Sequence, residues 1–194
     1  YLLHGAGGDE NAWIEQGRAA QIMDNLIAKG AITDHVIVVT MDNTSYDWDF
    51  EKIEDNVLNY IIPYMEKNYN VSTEPEGRAF CGLSMGSMTT FHMYFDHPEE
   101  FAYFGAFSGS DMSAVKDTEG LENSVFYITV GTCDIASSNI QQNTDGEEKK
   151  YEDFIAYLEE NPMDNVVDGG YLPGGHDWFT WSQAFVAFVE ETGF

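Results

Sequence analysis

The feature that most constrains this chain is a regular exchange between two kinds of apolar segment. Short β-branched or aromatic runs without helical period alternate with longer stretches whose apolar residues return every third or fourth position. His35-Val36-Ile37-Val38-Val39-Thr40-Met41 and Ser124-Val125-Phe126-Tyr127-Ile128-Thr129-Val130 are strands of the first kind, apolar enough for burial on both faces. Tyr1-Leu2-Leu3-His4-Gly5 reads as a strand end, 78–81 and 101–107 are shorter strand candidates, and 166–172 a weaker last one. Between them the spacing predicts a helix over 11–29 (Ile14, Ile22, Leu26, Ile27) stopped by Gly30. A second helix carries Ile53, Val57, Ile61 and Met65 and should be kinked by Pro63; further helices cover 85–96, 151–160 and 178–191. Parallel neighbours need crossovers and the crossovers here are helices, so the fold class is α/β: a mainly parallel sheet flanked by helices on both faces. Ligands of such sheets bind at the carboxyl ends of the strands.

The length of 194 residues fits one domain, 1–194, and 43% hydrophobic content supports a packed core despite 34 acidic residues against 8 basic ones. A formal charge of -26 disfavours phosphate backbones and anionic lipid surfaces, so no nucleic-acid or membrane partner is expected. No apolar run approaches the roughly 20 residues of a membrane span. Cys81 and Cys133 have no metal-finger spacing and are expected to be buried thiols. No cofactor or metal is expected; acidic Asp145-Gly146-Glu147-Glu148 lacks the alternating ligands of a calcium loop and reads as a solvated turn. With a strand end at Tyr1 and nothing polar before it, the expectation is a chain truncated or processed at its N-terminus.

Gly82-Leu83-Ser84-Met85-Gly86 follows a short strand and opens a helix, the context in which G-x-S-x-G forms a nucleophile elbow. A side chain at either glycine would crowd the neighbouring strand and helix. The alternative is a tight turn with a capping serine. A serine nucleophile needs a base. His176, in the loop Pro173-Gly174-Gly175-His176-Asp177-Trp178 after the last strand, is placed for it; its alternative is a cap on the last helix. His35, His92 and His97 read as structural, and His4 as a residue that orients the first glycine loop. The imidazole needs a carboxylate partner. Asp134, after Gly131-Thr132-Cys133, fits that role, with Asp111 as the runner-up and Asp177 pointing away. Ser84, Asp134, His176 is then the chain order of α/β-hydrolases. Oxyanion donors are expected at the amides of Met85 and of the His4-Gly5-Ala6-Gly7-Gly8 loop, Ala6 first and Gly7 as the alternative. Trp13, Tyr46, Trp48 and Ile135 are candidates for the substrate pocket, though aromatics there also serve as packing.

Leu2-Leu3-His4-Gly5-Ala6-Gly7-Gly8, Gly82-Leu83-Ser84-Met85-Gly86, Gly131-Thr132-Cys133-Asp134 and Gly174-Gly175-His176-Asp177-Trp178 together resemble the motifs of the feruloyl and acetylxylan esterase family (carbohydrate esterase family 1, esterase D-like) over almost the whole chain. The resemblance implies an α/β-hydrolase fold, serine esterase chemistry on feruloylated or acetylated xylan fragments, and secretion, often as one module of a larger enzyme. It places Ser84, Asp134 and His176 on the triad positions and Ala6 and Met85 on the oxyanion positions. Two departures stand out: the family has strands before the first one here, and Ser87 occupies a position where glycine is common. Missing strands would leave 35–41 as an uncovered sheet edge. The rival expectations are a small-acyl or thioester hydrolase of the S-formylglutathione hydrolase type, and a non-catalytic carbohydrate-binding module on the same scaffold.

Overall fold

A computed structural model describes residues 1–33, 35–139 and 150–194; the acidic turn at 145–148 lies outside them. The described elements run β1 (Leu2–Leu3), α1 (Ala12–Glu15), α2 (Ala19–Lys29), β2 (Thr40–Met41), α3 (Phe50–Asn56), α4 (Ile62–Asn68), β3 (Ala79–Leu83), α5 (Met85–Asp96), β4 (Tyr103–Phe107), β5 (Val125–Cys133), α6 (Tyr151–Glu160), β6 (Val166–Gly175) and α7 (Trp178–Thr192). The six strands form one sheet in the order β2-β1-β3-β4-β5-β6, and each of the five pairings is parallel.

Successive strand residues point to opposite faces, and the core divides accordingly. Leu3, Phe80, Phe104, Ala106, Phe126, Ile128 and Val130 face a layer containing Ile53 and Val57, with Phe91 and Phe95 of α5 and Phe154 of α6. Leu2, Ala79, Cys81, Leu83, Phe107 and Tyr127 face Met23 and Leu26 of α2 and Trp181, Phe185 and Phe188 of α7. Both faces of the central strands are therefore apolar, which explains why they read as continuous runs rather than alternations.

Several expectations are corrected. The helix over 11–29 is broken: α1 ends at Glu15, and Arg18 adopts a left-handed conformation (φ 54°) before α2 begins. Of the run 35–41 only Thr40–Met41 pairs, at the sheet edge; Ile37 is exposed, so this strand is not buried on both faces. The stripe on the second helix shifts from Ile61 to Ile62, because a wide π turn at Val57–Ile61 inserts one residue before Pro63. That proline has no N–H to donate, and the wide turn absorbs the break. The weak last strand is ten residues long and runs to Gly175. Cys81 is buried, with its thiol pushed up to about 12 by burial, but Cys133 is exposed. Among the described residues no helix is long and apolar enough to cross a membrane.

Candidate active site

The sheet delivers its polar residues to one edge through register. Leu83 of β3 pairs with Phe107 of β4, which pairs with Thr129 of β5; Cys133 of β5 pairs with Gly175 of β6. Ser84, Ser108, Asp134 and His176 are the next residues after β3, β4, β5 and β6, so all four leave the sheet at its carboxyl end.

Ser84 sits between β3 and α5 with φ 54° and ψ −117°, a backbone strain that holds its side chain out from the turn. The turn is possible because its neighbours have no side chains. A Cβ on Gly82 would lie 2.2 Å from the Gly86 carbonyl oxygen, and one on Gly86 would lie 2.6 Å from the His4 carbonyl oxygen. Ser87, the departure from the common glycine, is accommodated by its own bond: its buried hydroxyl donates to the Gly109 carbonyl at 2.7 Å.

His176 stands between the serine and an acid. Its Nε2 is 2.9 Å from Ser84 Oγ and its Nδ1 is 2.6 Å from Asp134 Oδ1. A carboxylate can only accept, so Nδ1 carries the proton and Nε2 offers its lone pair to the serine hydroxyl. The ring also packs edge-on against Trp181, centroids 5.1 Å apart. The helix-cap alternative falls to the adjacent residue: Asp177 accepts from the Thr180 amide at the start of α7.

Asp134 is fully buried, and burial by itself would raise its carboxyl pKa. Hydrogen bonds from His176, from the Ser108 hydroxyl (2.7 Å to Oδ2) and from the Ala136 amide (2.8 Å to Oδ1) outweigh that and hold it below the ordinary carboxylate range. The runner-up acid, Asp111, is engaged elsewhere, with His92 at 3.3 Å and with Ser113.

Ser108 was not anticipated from the sequence. It is buried, adopts φ 61°, and is the donor to Asp134 Oδ2. The signal was its place: it follows β4 as Ser84 follows β3, so the same register argument that selects Asp134 and His176 selects it.

The first glycine loop folds over the elbow. Gly8 N–H closes a turn on the Gly5 carbonyl at 3.1 Å, with Ala6 and Gly7 (φ 76°) at its centre, both exposed. A Cβ on Gly5 would lie 2.8 Å from Ser84 Cβ, so this turn is packed directly on the serine. His4 is buried beneath it, its Nδ1–H donating to the Gly5 carbonyl at 2.7 Å while Nε2 accepts from the Asn43 amide at 3.3 Å. Met85 is the first residue of α5, where backbone N–H groups lack intrahelical acceptors.

The pocket candidates separate. Trp13 is a correction: it is 1% exposed, donates from Nε1 to the Leu3 carbonyl at 2.9 Å and packs against Trp178 and Phe185, so it supports the first loop from within the core. Tyr46 and Trp48 are half-buried against the core, and Trp48 meets His4 edge-on. Ile135 is exposed beside Asp134. His35 lies outside any strand, and His97 faces Glu54.

The sequence model of a family described as "Putative esterase" matches residues 1–192. The chain is 35% identical over 191 residues, 93% of its own length, to an endo-1,4-beta-xylanase/feruloyl esterase of Xylanibacter ruminicola. It is 31% identical over 120 residues, 56% of its length, to endo-1,4-beta-xylanase Y of Acetivibrio thermocellus. The chain spans only 24% and 11% of the lengths of these two relatives. Among solved structures, a CE1 ferulic acid esterase of the anaerobic fungus Anaeromyces mucronatus superposes with a TM-score of 0.78 at 22% identity, covering all of this chain and 77% of that one. An S-formylglutathione hydrolase of Staphylococcus aureus superposes with a TM-score of 0.69 at 17% identity, covering all of this chain and 80% of that one. These two likenesses bear on the fold. Matched over nearly its whole length and built on the same wound sheet, the chain belongs to the esterase family, carboxylic ester hydrolases of the α/β-hydrolase fold.

Proposed function

We propose that the chain is a serine esterase that removes feruloyl or acetyl groups from xylan fragments through an acyl-enzyme on Ser84. The observation that carries this reading is the continuous relay from Ser84 Oγ through His176 to Asp134 at the carboxyl edge of the sheet. His176 Nε2 takes the hydroxyl proton as Ser84 Oγ attacks the ester carbonyl. Asp134, held ionised, keeps the imidazole in the required tautomer and stabilises the imidazolium. The negative oxygen of the tetrahedral intermediate is met by the amides of Met85 and Ala6, the former at the positive end of α5. The intermediate collapses as the bond from the carbonyl carbon to the sugar oxygen breaks and His176 gives its proton to that oxygen, leaving an ester on Ser84. Water, deprotonated by the same imidazole, repeats the sequence and releases the acid.

The choice of acyl group and polymer rests on the relatives, whose names join xylanase with feruloyl esterase. A xylan substrate is a neutral or acidic polymer outside the cell, so the reading includes secretion and work alongside other modules of a larger enzyme. The charge of -26 disfavours nucleic-acid and anionic lipid partners. The test compares turnover of methyl ferulate, acetylated xylo-oligosaccharides and S-formylglutathione, each with a Ser84→Ala control. Feruloyl or acetyl-xylan turnover that falls at least ~1000-fold in the control supports the reading. Preference for the thioester moves the chain to the small-acyl class, and wild-type rates in the control refute the Ser84 mechanism.

A further inference from the structure

Away from the triad, α3 and α5 bring together three groups that the ester chemistry does not use. Glu54 of α3 is 6% exposed, and its Oε1 is buried with no hydrogen-bond partner. His92 and Asp96 lie four residues apart on α5, one above the other on the same helix face. One ligand atom from each of Glu54, His92 and Asp96 falls within 4.8 Å of the others.

Each of the three is held from outside by a second partner. His97 Nε2 stands 3.6 Å from Glu54 Oε2, Lys116 ion-pairs with Asp96 Oδ1, and Asp111 Oδ2 lies 3.3 Å from His92 Nε2. His92 Nδ1 and Asp96 Oδ2 lie 3.9 Å apart, and Glu54, the third member of the cluster, keeps its second oxygen, Oε1, buried and unpartnered. The imidazole cannot swing away, because it stacks on Phe50 with centroids 4.1 Å apart and planes within 20°. Asp111 accepts from Nε2, so in the neutral ring with its proton on that nitrogen Nδ1 offers a lone pair for a metal ion. A buried carboxylate oxygen with nothing to accept is costly, and a cation shared by the three groups would offset that cost at Glu54 Oε1. Outer carboxylates that orient a histidine, with its second nitrogen turned inward, are the usual support of a metal ligand.

We propose that Glu54, His92 and Asp96 bind one divalent transition ion of the Zn2+ type. One imidazole nitrogen with two carboxylate oxygens suits Zn2+, Co2+ or Mn2+, whereas Ca2+ and Mg2+ favour all-oxygen sets. Metal–ligand bonds of about 2.1 Å place tetrahedral ligand atoms about 3.4 Å apart, so the carboxylates must draw in by up to about 1.4 Å. Water completes the coordination. His92 lies eight residues beyond Ser84, about 12 Å along the axis of α5, so the ion clamps α3 to α5 rather than touching the reacting ester.

The test is titration calorimetry of the intact protein with Zn2+, alongside thermal melts with Zn2+ or with EDTA. One equivalent is expected to bind and raise the melting temperature. Glu54→Gln and Asp96→Asn should each weaken binding at least ~100-fold, and Asp111→Asn about 10-fold through loss of the outer support. His176→Ala and Cys133→Ser should bind as wild type, which separates this site from the triad and the exposed thiol. The EDTA melts show that each variant is folded, and if one carboxamide variant fails to fold the other decides. Absence of binding to the wild type, or undiminished binding in a folded Glu54→Gln or Asp96→Asn protein, overturns the proposal.

Discussion

Substituting Ser108 by alanine removes the hydroxyl that donates to Asp134 Oδ2 at 2.7 Å. Asp134 is 0% exposed, and its Oδ1 already takes His176 and the Ala136 amide, so no protein donor replaces the lost one. Hydrogen bonds to charged groups contribute about 1.5–3 kcal/mol, and the stranded oxygen carries its desolvation cost in full. We expect Ser108→Ala to lower stability at pH 7 by about that amount and kcat by about tenfold, with KM little changed. The left-handed backbone at Ser108 (φ 61°) supplies an internal control. Alanine keeps that strain and glycine relieves it, so Ser108→Gly should be about 1 kcal/mol more stable than Ser108→Ala while losing the same activity. The pH dependence carries a sign as well. Asp134 has a depressed folded pKa, so it contributes stability above the ordinary carboxylate value of 3.8 and loses it as pH falls through the folded value. Losing one donor raises that folded value, so the deficit of Ser108→Ala should be largest at pH 7 and narrow in acid. Urea denaturation followed by tryptophan fluorescence at pH 7 and near pH 3, below the ordinary value of 3.8, reads both effects. An alanine variant with wild-type stability and kcat, or a deficit that does not change with pH, refutes the reasoning.

Gly5→Ala puts a Cβ 2.8 Å from Ser84 Cβ and 2.9 Å from Leu83 Cδ1, so the first loop must lift from the elbow; a stability loss of about 1–3 kcal/mol and a fall in kcat larger than any change in KM are expected, read by melts and steady-state kinetics. His97→Gln tests the Glu54 contact, which raises the His97 pKa above 6.5. A raised folded value contributes stability in full below 6.5 and loses it as pH climbs through that value. In EDTA the variant should therefore melt below wild type at pH 5.5 and converge with it by pH 8.5; an offset that is the same at both pH values contradicts this.

The alternation of segments was legible because the central strands are buried on both faces and the helices on one, which leaves different periods in the sequence. Helices over 85–96 and 151–160 run as their apolar spacing and stops indicate. Ser84, Asp134 and His176 could be placed together because each follows a strand of the same parallel sheet. Other features depend on neighbours that spacing does not reveal. Ile53, Val57, Ile61 and Met65 suit an ordinary helix, and only the wide turn before Pro63 makes Ile62 the buried residue. Trp13 carries no mark in the sequence to separate a wall of the pocket from a prop beneath it; the Leu3 carbonyl it reaches decides. Glu54 is 38 residues before His92, and only the packing of α3 on α5 brings them together.

The account rests on Ser84 as the atom that takes the acyl group, and reaction with a fluorophosphonate probe followed by peptide mass mapping tests that most directly. A single phosphonyl adduct on Ser84 is predicted, formed at least ~1000-fold more slowly in His176→Ala because the hydroxyl has lost its base. No adduct on the folded wild-type protein, or an adduct on another residue with Ser84 unmodified, would contradict it.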